Sequence, residues 1–329
     1  MKKALLLGKF MPLHLGHIAL IDFGLANADI VDIAVCVHKN EPIDGQLRYN
    51  WVNDYYKNNQ QVNVHLVEYN EDELSSSSET SVDASIKWTD YLKQMFPATN
   101  VFISSEPYGK LVATHWGIDH LLFDEQRTRV PIAASDILKQ PFVHWQYLPD
   151  IVKSYFVKKI CIVGAESTGK STLTERLAKH YQTAFVPEVA RDIVDTTQSC
   201  TLQDLHTIAA AHAKAIIDTL PLVNKLLFVD TDITITKSYA RFLFDAALQT
   251  EDWIEEANRF DLYLFLETDS PFVQDGTRLE EEDREKLNTS HKKEFAGQGI
   301  AYHILTGDWE QRFLNAVKMI DKTFLKNKQ

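Results

Sequence analysis

The segment Gly164-Ala165-Glu166-Ser167-Thr168-Gly169-Lys170-Ser171 constrains this chain more than any other. It satisfies G-x-x-x-x-G-K-[ST] in full. The apolar run Ile160-Cys161-Ile162-Val163 precedes it, and an amphipathic helical pattern from Lys170 to Tyr181 follows. Glycines in such a turn let backbone N–H groups face phosphate, and the helix N-terminus adds a favourable dipole. The expected contacts to a nucleoside triphosphate are Gly164, Glu166, Ser167, Thr168, Gly169, Lys170, Ser171 and Thr172. Lys170 is expected on the β- and γ-phosphates, and Ser171 on Mg²⁺.

The same grammar of apolar strand, glycine-containing turn and helix opens the chain. Ala4-Leu5-Leu6-Leu7 leads into Gly8 to Gly16, with a helix from about His17. Further strands are expected at Ile30–Val37, Val62–Val67, Val101–Ser104, Leu226–Asp230, Leu262–Leu266 and Tyr302–Leu305. Helical patterns lie between them, at Leu47–Lys57, Ser85–Met95, Leu202–Leu220, Ile235–Leu248 and Trp309–Leu325. Strands with few alternating polar positions suit parallel sheets covered on both faces, so the fold class is α/β. A length of 329 residues suits two domains. Pro141 and Pro149, with Phe142, Trp145 and Tyr147 near them, precede the fresh strand at Ile160. The boundary is therefore expected near residue 155, giving domains 1–155 and 156–329.

The chain has 34 Lys+Arg against 46 Asp+Glu, a formal charge of −12. That balance argues against indiscriminate nucleic-acid binding. Cys36, Cys161 and Cys200 are widely spaced, so neither a disulfide framework nor a zinc site is expected. No apolar stretch reaches the ~20 residues of a membrane span, and four apolar residues are too few for a signal peptide. A cytoplasmic location without membrane association is expected. The serine run Ser75–Ser78 reads as a mobile surface loop.

Around the Gly164 loop, Asp230 ends the apolar run Leu226-Leu227-Phe228-Val229 and is the expected Mg²⁺-supporting acid. Asp232 just behind it is read either as a substrate contact or as a helix N-cap. Glu188 and Arg191 lie in Val186-Pro187-Glu188-Val189-Ala190-Arg191. There a carboxylate suits acceptance of a hydroxyl proton and an arginine suits holding charge; a surface salt bridge is the alternative. Asp275-Gly276-Thr277-Arg278 and the charged run to Lys286 read as a lid carrying Arg278, with Arg284 behind, onto transferring phosphate, or as a solvated helix.

Near the N-terminus, Gly8-Lys9-Phe10-Met11-Pro12-Leu13-His14-Leu15-Gly16-His17 contains G-x-F-x-P-x-H-x-G-H. It resembles the signature of the nucleotidylyltransferase superfamily. Adenylyl transfer needs no protein nucleophile, because a substrate phosphate attacks the α-phosphate of ATP directly. Catalysis is then positioning and charge stabilisation, which His14 and His17 at a helix start can supply. Downstream stand Ile103-Ser104-Ser105-Glu106-Pro107, Asp124 with Arg127-Thr128, and Ile132-Ala133-Ala134-Ser135-Asp136-Ile137-Leu138.

The order of these elements over nearly the whole chain resembles the bifunctional nicotinamide-nucleotide adenylyltransferase and ribosylnicotinamide kinase family, the NadR type. The resemblance implies a Rossmann-like transferase domain followed by a P-loop kinase domain. The kinase would convert nicotinamide riboside to its mononucleotide (NMN), and the transferase would join NMN to AMP, giving NAD. ATP is implied as substrate of both and Mg²⁺ as cofactor. The first site would hold ATP through Gly8, Phe10, Gly16, Ser104 and Arg127. Trp88, with Arg48 and Trp51, resembles the pyridine-nucleotide contacts, though core packing explains the tryptophans as well. Some members carry an N-terminal helix-turn-helix and repress transcription; a chain starting at the transferase strand is not expected to. A homo-oligomer is compatible with the sequence.

One departure stands out. The family's late transferase motif is similar to I-S-x-T-x-x-R, and here its serine is Ala133 and its arginine Leu138. Lys139 or Arg129 would have to substitute, and lysine is not equivalent to arginine at a forked phosphate contact. Two alternatives follow: a kinase whose first domain only binds nucleotide, and a regulator that senses NAD or ATP.

Overall fold

The computed structural model describes residues 1–70, 74, 82–194, 196–271 and 280–325. They divide into two compact units, Met1–Lys153 and Ser154–Gln329.

In the first unit the chain runs β1 (Lys3–Gly8), α1 (Leu15–Asn27), β2 (Ile30–Val37), α2 (Gly45–Tyr56), β3 (Val62–Glu68), α3 (Val82–Met95), β4 (Val101–Ser104), α4 (Tyr108–Trp116), β5 (Asp119–Leu122) and α5 (Ala134–Lys139). The helix α6 (Asp150–Phe156) leads into the second unit. Among the described residues the strands form one parallel sheet, β3-β2-β1-β4-β5. This is the Rossmann-like order, whose switch point falls between β1 and β4. Ala4 to Leu6 and Val31 to Cys36 contribute apolar side chains to both faces, as a doubly covered sheet requires. On one face Leu92, Phe96 and Val112 pack over Leu5, Ala34, Cys36 and Phe102.

The second unit runs β6 (Lys158–Gly164), α7 (Lys170–Tyr181), β7 (Phe185–Val186), α8 (Leu202–Thr219), β8 (Leu226–Asp230), α9 (Ile233–Phe244), α10 (Asp252–Ala257), β9 (Leu262–Leu266), α11 (Glu281–Gly297), β10 (His303–Leu305) and α12 (Trp309–Ile320). Its parallel sheet has the order β10-β9-β6-β8-β7. The phosphate-loop strand β6 is central, paired with β8 and β9. Cys161, Val163, Tyr263, Phe265 and Phe295 form the core on one side of it.

Two expectations change. The helix expected over 235–248 ends at Phe244, because Asp245 turns left-handed (φ 49°) and caps it. The charged run at Glu281–Lys286 is no lid segment but the first turns of α11, which buries Arg284, Leu287, His291 and Phe295. Arg278 and the serines Ser75–Ser78 lie outside the described residues.

Candidate active sites

The phosphate loop follows β6 and delivers the chain into α7 through Gly169, whose φ of 86° is left-handed. A side chain there would drive into the ring of Trp309, with a Cβ 1.8 Å from Cζ3. Four successive loop carbonyls are held by side chains. Thr168 Oγ1 (2.8 Å) and Lys170 Nζ (3.1 Å) donate to Ala165 O. Arg284 donates to Glu166 O and Ser167 O, each at 3.2 Å. Arg312 donates to Thr168 O at 2.7 Å. With its carbonyls engaged, the loop turns its amide side to a cavity of about 370 Å³ that Glu166 to Thr172 line.

Glu188 and Arg191 stand on the same cavity wall, their side chains 4.0 Å apart. Ser171 Oγ donates to Asp230 Oδ2 at 2.5 Å, while Asp230 Oδ1 is buried without a partner. Burial, then the nearby Glu188 carboxylate, push the Asp230 carboxyl up to about 6 against Lys170, Ser171 and Arg191. The rest of the wall is largely apolar, with Val189, Leu205, Ile208, Ile235 and the ring of Tyr239. Asp232 lies elsewhere: it caps α9 by accepting from Ile235 N (3.1 Å), and its Oδ2 accepts from the Tyr263 hydroxyl (3.1 Å). Both demands consume its carboxylate, so the N-cap alternative describes it. Arg284 braces the loop from behind instead of reaching over phosphate.

Sequence reading missed Arg312 and His212. Arg312 is 1% exposed; besides Thr168 O it donates to Gly307 O and Glu267 O and pairs with Asp269. An arginine inside a helical pattern carries no sign that it will turn inward. His212 lines the cavity from α8.

In the first unit, a cavity of about 290 Å³ lies at the carboxyl end of β1 and β4. Gly8, Phe10, His14, Gly16, His17, Ser104 and Arg127 all line it. His14 is the N-cap of α1, its Nδ1 accepting from Gly16 N at 3.0 Å. The neutral ring therefore carries its proton on Nε2. His14 and His17 stack with centroids 3.8 Å apart, and Phe10 packs on His17. Burial, then Arg127, lower His14 to about 4; burial, then His14 and Arg127, hold His17 well below its ordinary value. Asp124 folds the 124–130 turn by accepting from Thr128 N, Thr128 Oγ1 and Arg129 N (2.8–2.9 Å), which presents Arg127. Ser104 Oγ donates to Glu106 O at 2.8 Å.

Ala133, Ala134, Ser135 and Leu138 form part of this wall, so the departure from I-S-x-T-x-x-R lies at the cavity itself. Lys139 and Arg129 do not line it. Arg48, Trp51 and Trp88 are also off the wall. Trp51 and Trp88 are buried, Trp88 against Tyr69, because each sits on the sheet-facing side of its helix. Arg48 is fully buried and pairs with Glu41, donating also to Lys9 O (2.6 Å), Ile43 O (3.1 Å) and Cys36 O (3.2 Å).

A family model described as an AAA domain matches residues 159–312. The trifunctional NAD biosynthesis/regulator proteins NadR of Salmonella typhimurium (strain LT2) and Escherichia coli (strain K12) are each 27% identical over 340 residues. The match spans 95% of this chain and 81% of theirs. The chain is similar in sequence to these NadR proteins over most of its length. Its fold agrees: a crystal structure of a NadR protein in complex with NR superposes with a TM-score of 0.80 at 20% identity, over 100% of this chain and 98% of that one. A second, in complex with NAD and AMP-PNP, gives 0.79 at 21%, with the same coverage.

Two predictions follow for this chain. Replacing Arg48 by Met leaves three buried carbonyls unmet and the Glu41 carboxylate with Lys9 as its remaining ion-pair cation, so the first unit should lose about 3–5 kcal/mol of stability. Chemical denaturation measures this; a change in substrate KM at full stability would return Arg48 to the substrate. Secondly, His14 and His212 are held near 4 and His291 near 3, chiefly by burial, with His17 also low. Below their ordinary 6.5 these rings protonate in the unfolded chain first, so stability is full above that pH and falls toward pH 4. Asp230 and Asp232, both raised chiefly by burial, oppose this in the second unit against the larger set of histidines. Melting temperature should therefore drop between pH 7 and 5; a flat profile contradicts the burial of these rings.

Proposed function

We propose that this protein phosphorylates nicotinamide riboside with MgATP in its second unit (residues from about 156) and adenylylates the resulting NMN to NAD in its first (to about 155). The Ser171–Asp230 pair supports this most: a hydroxyl and a half-satisfied buried carboxylate meet at the end of a phosphate loop, over a cavity that also carries Glu188 and Arg191. Hard oxygen donors of this kind fit Mg²⁺, which would neutralise charge between the β- and γ-phosphates when bound. The names of the relatives, which join NAD biosynthesis to regulation, agree with the reading.

In the kinase step Lys170 and the loop amides hold the triphosphate. Glu188 takes the proton of the riboside 5′-hydroxyl as its oxygen bonds to the γ-phosphorus. The bond from that phosphorus to the bridging oxygen breaks, and ADP leaves. Arg191 balances charge beside Glu188, and Arg278 is assigned to the transferring group. In the transfer step an NMN phosphate oxygen attacks the α-phosphorus of ATP, and pyrophosphate leaves with the electrons of the broken bond. His14, a donor through Nε2, and His17 meet the developing charge, with Gly8, Phe10, Gly16, Ser104 and Arg127 around the nucleotide. Both imidazoles are neutral before nucleotide arrives, so they act first as hydrogen-bond donors and gain charge only beside an anion.

A second reading, kinase alone, draws on Ala133 and Leu138, which offer the first cavity no donor where the family motif has two. Purified protein given nicotinamide riboside and MgATP, with products followed by chromatography, separates the readings. NMN followed by NAD is expected. NMN that accumulates without NAD leaves the kinase alone, and nucleotide binding without turnover points to a sensor. Lys170→Ala should reduce the first step by at least about 100-fold and leave NMN-to-NAD conversion intact.

A further inference from the structure

The wall of the second cavity holds two buried polar atoms that the phosphate chemistry does not use. His212 lies on α8 in an otherwise apolar buried face with Leu205, Ile208, Ala209 and Ile216, and is 4% exposed. Its ring gives a hydrogen bond to the Asp230 carbonyl, while Nε2 has no partner. The next residue, Thr231, is 7% exposed, and its Oγ1 is also without a partner. Both residues line the cavity. They flank one peptide, the one joining Asp230 to Thr231.

Thr231 is held there against its preference. Its φ of 69° is left-handed, which a β-branched residue rarely adopts. Two contacts fix it: its N–H donates to Ile162 O at 3.0 Å, and its carbonyl accepts from the Cys161 thiol at 3.2 Å. Strain held by surrounding structure at a cavity wall marks a position set for a ligand. With one nitrogen donating to the Asp230 carbonyl, Nε2 is a lone-pair acceptor. Its complement is a hydroxyl or amide donor. The Thr231 hydroxyl can give or take, so the pair matches two neighbouring hydroxyls on one small molecule.

We propose that His212 and Thr231 are specificity-determining residues that read the ring hydroxyls of the ribose, His212 Nε2 as acceptor and Thr231 Oγ1 beside it. This rests on the riboside-kinase reading. Glu188 takes the 5′-hydroxyl in that reading, and it lines the same cavity as His212 and Thr231. One sugar therefore spans both, and its remaining hydroxyls fall to the unpartnered atoms.

The test compares kcat/KM for nicotinamide riboside with its 2′-deoxy and 3′-deoxy analogues. The wild type should disfavour at least one analogue by 10-fold or more. In His212→Phe or Thr231→Val that penalty should shrink to about twofold, because the enzyme no longer holds the unmet atom. His212→Gln, which can return an acceptor, should restore much of it and guards against a variant that fails to fold. Equal losses on parent and analogues overturn the proposal, as does a wild type indifferent to the deoxy sugars. So does a variant that instead loses discrimination between nicotinamide and nicotinic acid ribosides, which moves the contact to the base. A wild type that phosphorylates no riboside overturns the functional reading, and this assignment with it.

Discussion

A phosphate loop works only if its carbonyls stay turned away from the anion, and here the carbonyls of Ala165, Glu166, Ser167 and Thr168 are each taken by a side chain. Two buried arginines do most of this, Arg284 from α11 and Arg312 from α12. Each also ties the loop to other strand ends: Arg284 through Ser270 O, Arg312 through Glu267 O and Gly307 O. The guanidinium suits the task because its fixed fork reaches several carbonyls at once and stays charged when buried. The amide face of the loop is thus set before any nucleotide arrives. Its reorganisation cost is met during folding, by the packing that holds α11 and α12 on the sheet.

The first unit uses the same device on a smaller scale. Arg48, fully buried, holds the carbonyl of Lys9 in the turn between Gly8 and His17, and Glu41 holds Arg48. Burial pushes the Glu41 carboxyl up, but Lys9, His38 and Arg48 bring it below its ordinary value, so it stays ionised as their partner. In both units the visible motif faces the cavity, and an arginine behind it fixes the backbone.

That division explains what the sequence disclosed. Strand β2 at Ile30–Val37, apolar except for Asp32, and strand β8 at Leu226–Asp230, apolar up to its final Asp230, were legible because buried parallel strands are written as largely apolar runs. The cavity-facing turns were legible because glycine, lysine and histidine at fixed spacing have few other uses. The bracing residues were not. Arg48 reads as a ligand, and Arg312 gives no sign of turning inward, until the loop carbonyls they meet are placed, 39 and 144 residues away in the chain. Short β5 was also silent, since Asp119 and His120 take half of its four residues and leave no apolar run. His212 was hidden by its apolar helical neighbours.

The two cavities differ in how much positive charge they offer a triphosphate. The second presents Lys170, Arg191 and the start of a twelve-residue helix to the same space. The first presents Lys9, Arg127 and the start of α1; Lys9 pairs with Glu41 at 3.0 Å, and Arg127 lies 3.9 Å from Glu106, much as Arg191 lies 4.0 Å from Glu188 in the second. Its two imidazoles are neutral at rest, and Ala133 and Leu138 add no donor. Burial holds both imidazoles neutral, so they offer an entering anion hydrogen-bond donors and no formal charge. Of the two steps in the proposed sequence, adenylyl transfer is therefore the one with least charge prepared in advance.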